Sequence, residues 1–364
     1  MTRRAGSLLA VGLVGLLLVG TAALAGGAGL PSAWVAACVF WGGLSLGSLV
    51  LLQVHQLSGG AWGEALHRPL LAAAGALPLL PLLLLPLLAT PGQWYPWAHT
   101  DLPSGTVPVW YLNVPFFRLR TLLYLAVWLT LAWAVGSWDN RDEAAARRAR
   151  RSSPAGLILL LVTTSLAAFD WIMSLDPRWY SAIFGLLVTA GQVTAALALA
   201  VLWCVVGRAA TATDPQLRHD FGNLLLTLLL LWTYLVGMQF ITIWIADLPR
   251  EIRWYLPRLQ TDWGWLGLAV LTLHLFMPLP LLLSRSTKRS RAGLGLAAAL
   301  LLGGEGLYAL WLTLPTLHPQ GLQLSAADLA VFAGVGGLWL AFFLWRSAET
   351  GMPRAEASRA GGMP

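Results

Sequence analysis

Residues 155–206 read AGLILLLVTTSLAAFDWIMSLDPRWYSAIFGLLVTAGQVTAALALAVLWCVV, an apolar run, a turn carrying Asp170, Asp176 and Pro177, and a second apolar run. Each run is long enough to cross a hydrocarbon core of about 30 Å as a helix rising about 1.5 Å per residue. Helix is the state that satisfies its own backbone in lipid, and runs this long and uniformly apolar do not fit barrel strands. The acid at the end of the first run is a candidate functional group, because its charge is costly in hydrocarbon unless a partner or water reaches it.

The pattern repeats along the chain. Stretches of the roughly 20 apolar residues that a span requires occur about ten times, at 7–25, 32–57, 69–90, 117–137, 155–175, 181–206, 221–246, 263–283, 292–314 and 325–346. Composition agrees: 57% of residues are hydrophobic, 11% are charged and the mean hydropathy is +0.69, whereas about a quarter of a soluble domain is charged. The expected fold class is an all-α integral membrane protein with about ten transmembrane helices.

Charge sets the expected orientation, since Lys and Arg are retained in cytoplasmic loops. With the amino terminus inside, most of the 23 basic residues fall on the inner side, Arg141, Arg147, Arg148, Arg150, Arg151, Arg208, Lys288, Arg354 and Arg359 among them. The outer loops carry Arg178, Arg250, Arg253 and Arg258, with Arg118 and Arg120 at the outer end of the fourth stretch. Both termini are therefore expected on the cytoplasmic side. The net charge of +7 is explained by this asymmetry and by contact with membrane lipid, with no call for nucleic acid. MTRR followed by an apolar run also looks like a signal peptide, but the run exceeds a usual signal core and a retained helix is expected. Cys38 and Cys204 stand alone in separate spans, with no CxxC or CxxCH, which argues against attached haem c, iron–sulfur ligation and a disulfide framework.

The outer side is the decorated one, with long loops at 91–116 and 247–262 against short charged inner loops such as 284–291. In the second outer loop Glu251, Trp254, Tyr255 and Arg258 lie at helical spacing, which predicts a short interfacial helix with aromatic anchors. Asp170 and Asp176 are too far apart in sequence to share one helix face, and Asp176 is placed to cap the following helix. His274 and Glu305 fall toward mid-membrane, while Gln53 and His55 sit near the inner end of the second stretch. Carboxylate, imidazole and amide groups at staggered depths are what a proton relay needs, and local hydrogen bonding to a neighbouring helix is the plainer alternative for each. A bis-histidine haem would need two facing histidines at one depth, and His55 and His274 differ in depth.

The segment FDWIMSLDPRWYSAIFG at 169–185 resembles the signature of the ActF family of alternative complex III subunits, related to the NrfD/PsrC membrane proteins. YLNVPFFRLR at 111–120, QFITIWIADLPREIRWYLPR at 239–258, LPLLLSRSTKR at 279–289 and DLAVFAGVGGLWLAFF at 328–343 agree in order. The resemblance implies two four-helix bundles, at 32–175 and 176–314, flanked by a first helix with a short outer loop (1–31) and a last helix (315–346); the Gly-, Ala- and Ser-rich composition of 347–364 predicts a disordered tail. It implies a subunit of a quinol-oxidising respiratory complex in a bacterial inner membrane, with quinone as possible ligand and no covalently bound or other redox cofactor of its own. The implied partners are a paired NrfD-like quinol-binding subunit, an iron–sulfur subunit and multihaem cytochrome c subunits. Asp170, Asp176, His274, Glu305 and His55 then become candidates for a proton path or quinone pocket. Arg178, Trp179, Arg250, Glu251, Arg253 and Trp254 become candidates for outer-face partner contacts. The chain departs from the family in having Arg178 where the pattern has His after the SLDP turn, and Arg250 before Glu251 where it has a run of acids. A stand-alone transporter or channel is the competing expectation, and Pro78, Pro81 and Pro86 in the third stretch hint at the broken helix that such a protein carries. A purely structural scaffold is the third.

Overall fold

The computed structural model describes residues 3–26, 30–99, 109–137, 143–206 and 214–351. Arg141, Arg208, Arg354, Arg359, residues 100–108 of the first long loop and the tail beyond Gly351 lie outside the described residues; residues 347–351, expected in the disordered tail, continue the last helix. The helices are α1 (Arg3–Gly26), α2 (Ala33–Ser58), α3 (Ala61–Ala74), α4 (Leu79–Ala89), α5 (Val114–Ser137), α6 (Glu143–Trp171), α7 (Phe184–Val206), α8 (Pro215–Ala246), α9 (Pro249–Ile252), α10 (Leu256–Gln260), α11 (Trp263–Leu271), α12 (Pro278–Leu283), α13 (Arg285–Arg289), α14 (Arg291–Leu317) and α15 (Ala326–Gly351). The protein is an all-α, multi-pass membrane protein. Among the described residues eight helical spans are long and apolar enough to cross a bilayer, or nine with α3 and α4 as one.

Each of the ten expected stretches falls on helix, yet two differ from the expectation. The stretch 69–90 is a bent pair, α3 and α4 meeting at 40°. Pro78 has no N–H to continue the ladder, and residues 76–80 close with tight three-residue bonds instead, such as Leu79 N to Ala76 O at 3.1 Å. The stretch 7–25 lies on α1, which is not among the eight.

The helices alternate in direction. One end, the loop end, gathers residues 91–98, 173–180, 247–262 and 318–325. The other, the basic end, gathers the start of α6, the start of α8 and α13. α2 is central: 94% of its apolar stretch is buried, against 28% for α8. It packs on α3, α6, α7, α14 and α15, while α7 packs on α6, α8 and α14. Small residues let these axes close up: a Cβ on Gly47 would collide with the Gln192 carbonyl of α7. α1 lies antiparallel to α15 along Gly12, Gly15 and Gly334, a Cβ on Gly15 falling 3.2 Å from the Gly334 Cα.

Helix ends are finished by side chains. Asp214 caps α8 by accepting from Leu217 N at 2.7 Å, and Ser284 and Ser290 cap α13 and α14. The charged linker 284–291 is therefore itself a helical turn. Arg118 donates to the Leu88 and Ala89 carbonyls at the C-terminus of α4, where cations are favoured.

Candidate functional site

Asp170, in the last turn of α6, has a partner 50 residues away. Arg120 of α5 meets it side-on, Nε to Oδ2 and Nη2 to Oδ1 both at 2.8 Å, and the Tyr124 hydroxyl donates to Oδ2 at 2.8 Å. The carboxylate is wholly buried. Arg120 also donates to the Tyr111 carbonyl and lies 3.8 Å from the Tyr111 ring centroid. Burial, and then the Asp170 charge, push the Tyr111 phenol up to about 12. Tyr95 Oη donates to the Trp171 carbonyl, and Trp171 Nε1 to Thr121 Oγ1, so the first long loop, α5 and α6 are tied at one point. Both carboxylate oxygens are satisfied by strong, charge-assisted bonds. This geometry clamps two helices.

A second acid is held in the opposite way. Glu305 of α14 lies 3.9 Å from His274 Nδ1, and neither imidazole nitrogen nor Glu305 Oε2 has a hydrogen-bond partner among the described residues. The Leu301 carbonyl is near the ring without meeting hydrogen-bond geometry. Two glycines make the room: a Cβ on Gly191 of α7 would land on the Glu305 carboxylate, and one on Gly304 would lie 2.8 Å from His274 Cβ. His274 sits in a π turn at Thr272–Phe276 between α11 and α12, closed by Met277 N to Thr272 O at 2.9 Å. Pro278 lacks the N–H that would bond the His274 carbonyl, which favours this wider turn. Buried polar atoms are normally paired, so an unpaired acid–base couple is a candidate place for handling protons or water.

Beside this couple opens a cavity of about 360 Å³ between α8, α10, α11 and α14. Trp232, whose ring centroid is 4.3 Å from that of His274 and 5.1 Å from that of Tyr308, forms the shared wall. Phe240, Trp254, Tyr255 and Trp311 complete an aromatic lining. Phe240, Leu259, Leu268 and Leu271 line it too and are exposed on the bundle's lateral surface. Access is therefore from the side, where the bilayer lies.

The 247–262 loop builds the cavity's loop-end wall. Where one short helix was expected, α9 and α10 are two, and the turn between them turns Trp254 and Tyr255 inward. Trp254 stacks on Trp179 at 4.8 Å, and both indoles are buried, so the partner contacts expected of these two tryptophans are not available on the surface. Asp176 does not cap α7. It accepts from Arg253 Nε at 2.9 Å and from the Arg178 N–H, holding the SLDP turn to α9. Arg178 and Arg250 are exposed, and Arg250 donates to the Arg178 carbonyl and lies over Tyr180. Glu251 is half-buried.

Arg258, expected as an outer-loop cation, is 1% exposed. It donates to the carbonyls of Trp254, Trp311 and Leu312 and to Thr316 Oγ1, with Trp254 stacked 3.5 Å away. Pro315 supplies no N–H to the Trp311 carbonyl, and Arg258 replaces it. Burial lowers the Arg258 guanidinium to about 9 and raises the Tyr255 phenol.

His55 and Gln53 stand apart from this site, near the basic end. His55 Nε2 contacts the Gly60 carbonyl at 3.2 Å beside Trp62, and Gln53 is buried against Gly156 with neither amide atom paired. The structure thus brings together His274 and Glu305 and leaves Asp170, Asp176 and His55 in separate settings. No known family model matches the chain, and no curated protein does. The geometry can bind an apolar, lipid-soluble molecule and exchange a proton behind it.

Proposed function

We propose that the chain is an integral membrane subunit of a quinol-oxidising respiratory complex of the alternative complex III type, contributing a quinone-site wall and a proton path and holding no redox cofactor of its own. The observation that carries this reading is the unpaired His274–Glu305 couple behind an aromatic cavity open to the bilayer. A buried acid and base with no structural partner are suited to take a proton from, or give one to, a lipid-soluble carrier. The resemblance of 169–185 and of the later motifs to ActF supports the same assignment. On this reading the chain sits in a bacterial inner membrane with its basic end cytoplasmic, beside a paired NrfD-like quinol-binding subunit. The iron–sulfur and multihaem cytochrome c subunits lie against Arg178, Arg250, Glu251 and Arg253 at the loop end.

The two broken spans, the α3–α4 bend and the π turn at 272–276, favour a second reading, a stand-alone transporter, since such proteins build sites at interrupted helices. Purification of the tagged chain from its native membrane, with identification of copurifying subunits and a quinol:cytochrome c reductase assay, separates the two. The respiratory reading expects haem-bearing and iron–sulfur subunits to copurify, and the Glu305→Gln complex to assemble and lose turnover. A chain that purifies alone, inactive in that assay, moves the transporter reading ahead.

A further inference from the structure

Lys288 is the single lysine among the chain's 23 basic residues. It lies in α13 at the basic end and is buried. Its stem runs over Gly222 of α8, where a Cβ would come within 2.6 Å of Lys288 Cδ, and its ammonium donates to Asn223 Oδ1 at 2.6 Å. An ammonium carries three N–H donors, and among the described residues Asn223 is the one partner they meet. Asp220, on the same turn of α8, is engaged elsewhere: it accepts from Gln216 Nε2 at 3.2 Å and lies 3.8 Å from His219 Nδ1. A shielded charge is costly unless it is paired, and Lys288 has donors to spare for an anion.

Asn223 is exposed and marks where the ammonium emerges. On the same face of α8, Leu230, Tyr234 and Met238 follow at helical spacing and are exposed. Leu283, at the end of α12 just before α13, is exposed as well, and Arg285 and Arg289 are exposed around it. Arg218 donates to the Arg289 carbonyl at 2.7 Å and so holds α13 against α8. A cationic shelf thus sits above an apolar lateral stripe, at the level where a lipid headgroup meets its acyl chains. We infer that Lys288 and Asn223 form a binding site for the phosphate of an anionic glycerophospholipid whose acyl chains run along α8. Lys288 Nζ donates to the phosphate oxygens as a compact point charge, the manner in which lysine binds phosphate, and Arg285 and Arg289 add charge at the rim. The site stands independently of the respiratory reading.

The test is native mass spectrometry of the full-length protein released from nanodiscs made of equal parts phosphatidylglycerol and phosphatidylcholine. The wild type is expected to retain phosphatidylglycerol in preference. Lys288→Met keeps the stem on Gly222 and should lower that preference about fivefold, the worth of one basic residue at an anionic surface. Arg148→Gln removes an exposed cation from the start of α6, at the same end, and should leave it unchanged. Equal retention of the two lipids by the wild type, or equal loss in both variants, reduces the site to a general basic belt and overturns the inference. Because the chain has one lysine, acetylation by acetic anhydride followed by peptide mass spectrometry reads Lys288 in the unaltered protein. Phosphatidylglycerol should slow that acetylation about fivefold relative to nanodiscs of phosphatidylcholine alone, and inorganic phosphate in the buffer should not. Equal rates in the two lipids, equal protection by inorganic phosphate, or a Lys288 that resists acetylation in both would each overturn it.

Discussion

Removing the Asp170 charge should cost stability before it costs chemistry. Asp170 and Arg120 share two bonds of 2.8 Å, with Tyr124 on the same carboxylate, and the acid is wholly buried. Breaking a buried pair by removing one partner typically costs about 3–5 kcal/mol, because the survivor is left charged in a poor solvent. Asp170→Asn keeps an acceptor for Tyr124 and should fall near the lower end, about 3 kcal/mol, while Arg120→Met strands the carboxylate and should cost about 4 kcal/mol. The double variant Arg120→Met/Asp170→Asn removes both charges and should cost about 2 kcal/mol, well below the sum of the singles. Reversible unfolding in mixed micelles of dodecyl sulfate and dodecyl maltoside, followed by tryptophan fluorescence, measures all four corners. A coupling below about 1 kcal/mol, or an Asp170→Asn protein as stable as the wild type, would refute the clamp.

Gly191→Ala puts a methyl on the Glu305 carboxylate and should lose about 1–3 kcal/mol as an overpacked core does, whereas Gly295→Ala, with its nearest neighbour at 3.5 Å, should be neutral or stabilising in the same assay. Arg258→Met leaves three carbonyls short of a donor and should cost at least about 2 kcal/mol. Arg258→Lys should not restore the fork, and adding Pro315→Ala to Arg258→Met should recover part of the loss by returning an N–H to the Trp311 carbonyl. No recovery in that double variant would separate Arg258 from Pro315. Pro278→Ala supplies the N–H missing below His274, and cryo-electron microscopy should then find an ordinary α-helical turn at 272–276. Persistence of the Met277 N to Thr272 O bond would show that Pro278 does not set the turn.

The spans were legible because lipid imposes one secondary structure on any long apolar run, and the ten stretches landed on helix for that reason. The bend at α3–α4 was foreshadowed by Pro78, since a missing N–H is a local property. The π turn has the same local cause in Pro278, and HLFMPLP was the signal that could have found it. His274 and Glu305 stood out because residues of that kind are rare at such depth. What could not be read was pairing. Nothing near Asp170 in sequence announces Arg120, and only the packing of α5 against α6 turns an acid at the end of an apolar run into a buried salt bridge. Arg258 was assigned to the outer loop by the charge rule, which counts cations and is blind to carbonyls that a proline has freed. The resemblance puts Trp179 and Trp254 among the outer-face contacts, yet they stack on each other and are buried.

α1 and α15, the first and last of the described helices, meet along glycines at positions 12, 15 and 334. Between the appearance of the two in synthesis, every other helix has to emerge, so the groove on α1 waits for its mate through the making of the whole bundle. At synthesis rates of about 5–20 residues per second, some 15–60 s separate them. During that interval the face of α1 along Gly12 and Gly15 has no α15 to pack on. The α1–α15 contact thus joins the two described helices most distant in time of synthesis.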